Sequence, residues 1–190
     1  MNKIVRLLAM SAFAATAFAQ VRTLECVLSP SKETPAVTIS ANGTCRIEVI
    51  LNRSADGVES GLVDFHISAW FARAEKFTGL HIHKGAEGVA GPVVVNSGLR
   101  APLDGTSGSQ TLFYQVPVTS PEGLATLREI LADPSAFYVN LHTETNPSGV
   151  IRGQLQNTAE WQSRMAATTV TRLETLIRQV AFRLGISLTN

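Results

Sequence analysis

No stretch of this 190-residue chain is apolar for long enough to cross a bilayer. The uncharged run 7–18 falls well short of the roughly 20 residues a spanning helix needs. An excess of one charge is missing too, since 16 Lys and Arg stand against 15 Asp and Glu for a formal +1. A near-neutral chain holds nucleic-acid phosphates poorly, so that class of partner is set aside. Cysteine is scarce: Cys26 and Cys45 are the only two, and no C-x-x-C redox motif joins them. There is no G-x-S-x-G, no H-E-x-x-H and no paired-carboxylate motif, so nothing in the chain reads as a hydrolase. Gly85, Gly88 and Gly91 lead into an apolar Val93-Val94-Val95 strand rather than a helix, which removes the phosphate-loop reading and leaves turn geometry.

What is present begins with a leader. Lys3 and Arg6, an apolar run and Ala17-Phe18-Ala19 form the three parts of a secretory signal, with cleavage expected after Ala19. Gln20 follows, not cysteine, so a lipoprotein anchor is disfavoured. Residues 1–19 are thus read as signal peptide, 20–156 as one domain and 157–190 as an appended helix. Export places the protein in the periplasm or outside the cell. There Cys26 and Cys45 most simply form a disulfide, with two buried free thiols as the alternative. Closing that loop contributes about 3 kcal/mol in the chain-entropy picture.

Taken in order, residues 21–28 alternate as a strand, and Asn42-Gly43 between two alternating segments predicts a hairpin. Asp56-Gly57 predicts a turn, and in residues 62–71 Val63, Phe65, Ile67 and Ala69 form the core side. Residues 104–109 read as a loop, and Pro117 puts the strand 111–118 at an edge or an end. Ser120 as N-cap and Pro121 at the first position open a short helix that buries Leu124, Leu127, Ile130 and Leu131 and stops at Asp133-Pro134. Two further strands, 137–143 and 150–156, close the domain around Asn146-Pro147-Ser148-Gly149. Many short strands with one short helix predict an all-β antiparallel sandwich or barrel.

Chemistry concentrates in two of these strands. His81 and His83 share one face while Leu80 and Ile82 take the other; Tyr138, Asn140 and His142 likewise oppose Val139 and Leu141. If the strands are neighbours, His81, His83 and His142 offer three imidazoles to Zn²⁺ or Cu²⁺ with a fourth position open, and His66, Asp64 or Glu144 are further candidate ligands. The alternative is structural, with the histidines, Asn140 and Arg152 tethering loops and Arg152 paired to Glu144 or Glu33. In the tail, Trp161, Met165, Thr169, Leu173, Leu176, Val180 and Leu184 recur at helical spacing. That amphipathic helix is expected to pack across the domain, against a second copy as a homo-oligomer, or on a membrane surface.

Three ordered motifs resemble the CHRD domain, a module named after chordin and found in bacterial exported proteins. Residues 28–35, LSPSKETP, resemble its opening L-S-x-x-x-E-x-P; HIHKGAEGVAGPVVV resembles its H-I-H-x-G segment, and YVNLHTETNPSGVIRGQL its closing segment. The resemblance covers residues 24–155, and Val150 departs from it where the family carries Glu. It implies an immunoglobulin-like sandwich, with an H-x-H strand similar to that of copper/zinc superoxide dismutases. Those enzymes bind two metals with more histidines than the four present here, so the resemblance does not extend to a two-metal centre. The chordin modules belong to a protein that binds growth factors, which implies a non-enzymatic binding or structural module with a protein ligand. A single-metal protein with weak redox activity is the second reading.

Overall fold

The computed structural model describes residues 18–183; residues 1–17 of the expected leader, and Leu184 of the tail, lie outside them. In chain order the described strands are β1 Phe18–Leu28, β2 Ala41–Arg53, β3 Glu59–Phe71, β4 Glu75–Lys84, β5 Val93–Asn96, β6 Leu103–Gly105, β7 Gly108–Val118, β8 Phe137–Thr143, β9 Ile151–Gln154 and β10 Gln156–Asn157. Two helices join them, α1 Pro121–Ala132 and α2 Thr158–Arg183. One sheet runs β10-β1-β2-β3-β7 and the other β5-β4-β8-β9, with β6 paired to β4, and every pairing is antiparallel. The all-β sandwich expected from the alternation is the fold.

The inner faces supply the core. Cys26, Cys45, Ile47, Val49, Val63, Phe65, Ile67 and Phe71 from one sheet meet Phe77, Leu80, Ile82, Val139 and Leu141 from the other. Cys26 and Cys45 are directly opposite across β1 and β2 and form the disulfide. Helix α1 starts and stops as predicted: the Ser120 hydroxyl accepts from the Gly123 N–H, and Asp133 ends it. Leu124, Leu127, Ile130 and Leu131 are buried against the sandwich, each contributing about 1.5–3 kcal/mol.

Four expectations are corrected. Asn42-Gly43 is not a hairpin turn but lies within β2, and residues 37–39 form no strand. Glycine is needed there for closeness: a Cβ on Gly43 would stand 2.7 Å from the Ser68 carbonyl oxygen of β3. Part of the expected 104–109 loop is β6. The closing strand breaks at Leu155, which is fully buried, so that β9 stays in one sheet and β10 joins β1 in the other. Finally, α2 does not pack across the domain. Thr158 caps onto the Thr23 carbonyl and Trp161 is half-buried, but Met165, Val170, Leu173, Leu176, Ile177 and Val180 are all exposed.

Candidate metal centre

Strands β4 and β8 are neighbours, in a register that pairs His83 with Tyr138, His81 with Asn140 and Gly79 with His142. Because outward residues alternate, this sets His81, His83, Tyr138, Asn140 and His142 on one face, and β9 adds Arg152 beside Asn140 and Gln154 beside Tyr138. His81, His83 and His142 each present a ring nitrogen within 4.8 Å of the other two. Gly79 makes the crowding possible, since a Cβ there would stand 2.6 Å from the His81 ring. It sits beside a register shift between Phe77 and Gly79. A glycine inside a strand of β-branched and aromatic residues was the available sequence signal for this position.

The loops at the end of the sandwich orient the rings. His83 Nδ1 donates to the Gly91 carbonyl (2.9 Å) and His142 Nδ1 donates to the Pro147 carbonyl (3.0 Å). Each bond makes Nε2 the acceptor nitrogen of its ring, the tautomer being assigned from the bond on the other nitrogen. His142 Nε2 accepts from His81 Nδ1 at 3.1 Å, and His83 Nε2 is buried with no partner. All three imidazoles are held below their ordinary range, His81 down to about 4, first by burial; mutual repulsion adds to this at His81 and His142, and the Arg152 charge adds to it at His83. They are neutral near pH 7, the form that ligates metal.

The loops are fixed in turn by the rest of the face. Arg152 donates to the Ala86 carbonyl (2.8 Å) and lies over the Tyr138 ring, 3.4 Å from its centre; Tyr138 stacks flat on His83. The Tyr138 hydroxyl accepts from the Gly91 N–H, and Gln154 donates to the Gly85 carbonyl. Asn140 donates to the Ser148 carbonyl and to Glu33, which holds the 147–149 turn and with it the His142 partner. Burial pushes the Glu33 carboxyl up to about 7, against the opposing pull of Arg152 and the Asn140 bond.

The face therefore gathers His81, His83, His142, Asn140, Arg152 and Glu33. Arg152 reaches Glu33 by its field, while its bonded contacts go to Ala86 and Tyr138. Glu144 is elsewhere: β8 ends at Thr143, and Glu144 is exposed in the turn beyond. Asp64 and His66 point from the outer face of the opposite sheet, so neither joins the imidazoles. Tyr138, Gln154 and Gly79 were not picked out as site residues, because their roles depend on partners distant in sequence.

In comparison with known proteins, the family profile described as CHRD domain matches residues 24–155. No curated protein and no solved structure matches the chain.

Proposed function

Because the chain belongs to the CHRD-domain family, we propose that it is an exported, non-enzymatic binding module that holds a single zinc or copper ion on His81, His83 and His142. The observation that carries this is the convergence of three neutral imidazoles within 4.8 Å, two of them with tautomers set by backbone carbonyls. Outer partners of this kind are what orient ligating histidines in metal sites. A nitrogen-only set with three protein ligands suits Zn²⁺ or Cu²⁺ with a fourth position open. Half-buried His81, less covered than His83 and His142, supports an opening of that position toward solvent. His66 is the remaining histidine and faces away, so the reading is one ion rather than a paired centre. With copper bound, the open position permits weak redox chemistry.

Export is supported by the leader motif and by a buried disulfide, a bond that persists in oxidising compartments. The exposed apolar stripe of α2 supports association with a second copy. No described helix is long and apolar enough to cross a membrane.

Elemental analysis of the mature protein, purified without chelator or nickel resin, tests the site beside a His81→Ala/His83→Ala double variant. One zinc or copper per chain, absent from the variant, is the expected result. Metal-free samples of both, with a variant that is merely less stable, would make the histidines loop fasteners and return the search to protein ligands.

A further inference from the structure

Strand β7 ends its sheet, so one of its edges has no strand beside it among the described residues. Alternation decides which backbone groups face that edge. The Ala72 N–H donates to the Ser40 carbonyl and the Ser54 N–H to the Val58 carbonyl, both in the register of β2 and β3, so the even residues of β3 bond to β2. Its odd residues therefore bond to β7, where their partners are Gln110, Leu112, Tyr114 and Val116. Ser109, Thr111, Phe113 and Gln115 are left with N–H and C=O groups directed at the open edge. Pro117, which has no N–H to offer, closes the row.

Proteins usually blunt such an edge with a charge, a bulge or a short strand. Residues 108–118 carry no charged side chain, and their register with β3 runs through eleven residues without a shift. That is a template for an extended chain. Beside it, a groove of about 340 Å³ lies between β5 and β7 and is lined by Val94, Val95, Val116, Val118 and Leu127 among others. An added strand would turn alternate side chains toward this groove, so they must be apolar. The β7 of a second copy cannot supply them, because its Leu112, Tyr114, Val116 and Val118 pack into its own core.

Residues 184–190, Leu-Gly-Ile-Ser-Leu-Thr-Asn, have the required pattern: apolar at 184, 186 and 188, small or polar between, and uncharged throughout. A chain's own segment falls short. Every described side chain from Met165 to Val180 is exposed, so α2 projects from the domain, and Arg183 lies about 33 Å along it from Trp161. Trp161 and Thr111 of β7 line one groove, and seven extended residues span at most about 24 Å. A second copy removes the gap. An antiparallel pair of α2 helices sets Glu160 of the first turn against the partner's Arg183 of the last, and Val170 against the partner's Leu173. A parallel pair would instead oppose like charges. The antiparallel pair starts the partner's 184–190 beside Trp161, within reach of β7.

We propose that residues 184–190 of a second copy add to the open edge of β7 as a sixth strand, with Ile186 and Leu188 turned toward the groove. The contact presupposes the α2 association proposed above and gives it a second anchor.

Hydrogen exchange of the full mature chain, read amide by amide by nuclear magnetic resonance, tests it. The Thr111, Phe113 and Gln115 N–H groups should exchange at least about tenfold more slowly than in a chain lacking 184–190 or carrying Ile186→Asp. Unlabelled full chain added to the isotope-labelled deletion chain should restore slow exchange, because the donor is the other copy. Thr111→Pro, which removes an outward N–H, should speed exchange at Phe113 and Gln115 while Leu112 and Tyr114 stay as slow as in the parent, showing an intact sheet. Fast exchange at the three positions in the full chain, equal protection after the deletion, or no rescue by the unlabelled chain would overturn the proposal. Light scattering on the same samples separates the two readings. Paired chains with a fast-exchanging edge would overturn the strand and leave α2 association standing; single chains throughout would overturn both.

Discussion

His81, His83 and His142 resist protonation in the folded protein, His81 down to about 4, while the unfolded chain takes up the same protons near 6.5. Their contribution to stability is therefore complete above pH 6.5 and lost as the pH falls from there toward 4. Glu33 has the opposite sign, since its carboxyl is raised from 4.5 to about 7: its contribution is complete below 4.5 and lost as the pH rises through 7. Urea unfolding of the metal-free protein from pH 4 to 8 should show both slopes. Glu33→Gln, which keeps the shape and removes the buried charge, should be more stable relative to the parent at pH 8 than at pH 4.5. A difference that does not change with pH would mean that Glu33 is already charged and satisfied when folded.

The element that controls the centre is the turn between β8 and β9. Gly149 has φ of 132°, a region side chains rarely enter, and a Cβ there would collide with the Asn140 amide. Asn140 holds Ser148, and Pro147 holds His142, so one added methyl acts on the imidazole through two bonds. Gly149→Ala should cost about 1–3 kcal/mol in urea unfolding and lower metal occupancy. Loss of stability with full occupancy would show that the turn does not set the His142 ring. Across the face, the stack of Arg152, Tyr138 and His83 does the same for the 85–91 loop.

For the whole molecule, the disulfide and core lie within the two sheets and α1, and α2 touches them only near its start. A chain ending at residue 157 should therefore fold with a similar unfolding midpoint. Its apparent mass should fall from oligomer to monomer in light scattering, because the apolar stripe of α2 leaves with the deletion. An unchanged number of chains per particle would sink self-association through α2. The imidazole face and the outer face of the other sheet lie on opposite sides of the core, so substitutions on one can be read without disturbing the other.

Local rules were legible in the residues alone. Ser120, Pro121 and helical spacing defined α1, alternation assigned the inner face of β3, and period two put His81 beside His83. Each depends on covalent geometry over a few residues and needs no knowledge of partners. Non-local pairing was not legible. Asn42-Gly43 has the composition of a turn, yet in a central strand the same glycine serves the close approach of Ser68. Likewise, three scattered histidines became one centre only when β4 and β8 paired in a register that set Gly79 against His142. Sheet order is chosen by burying all the inner faces at once, so the site's ring spacing, tautomers and sealed oxygens belong to the tertiary structure.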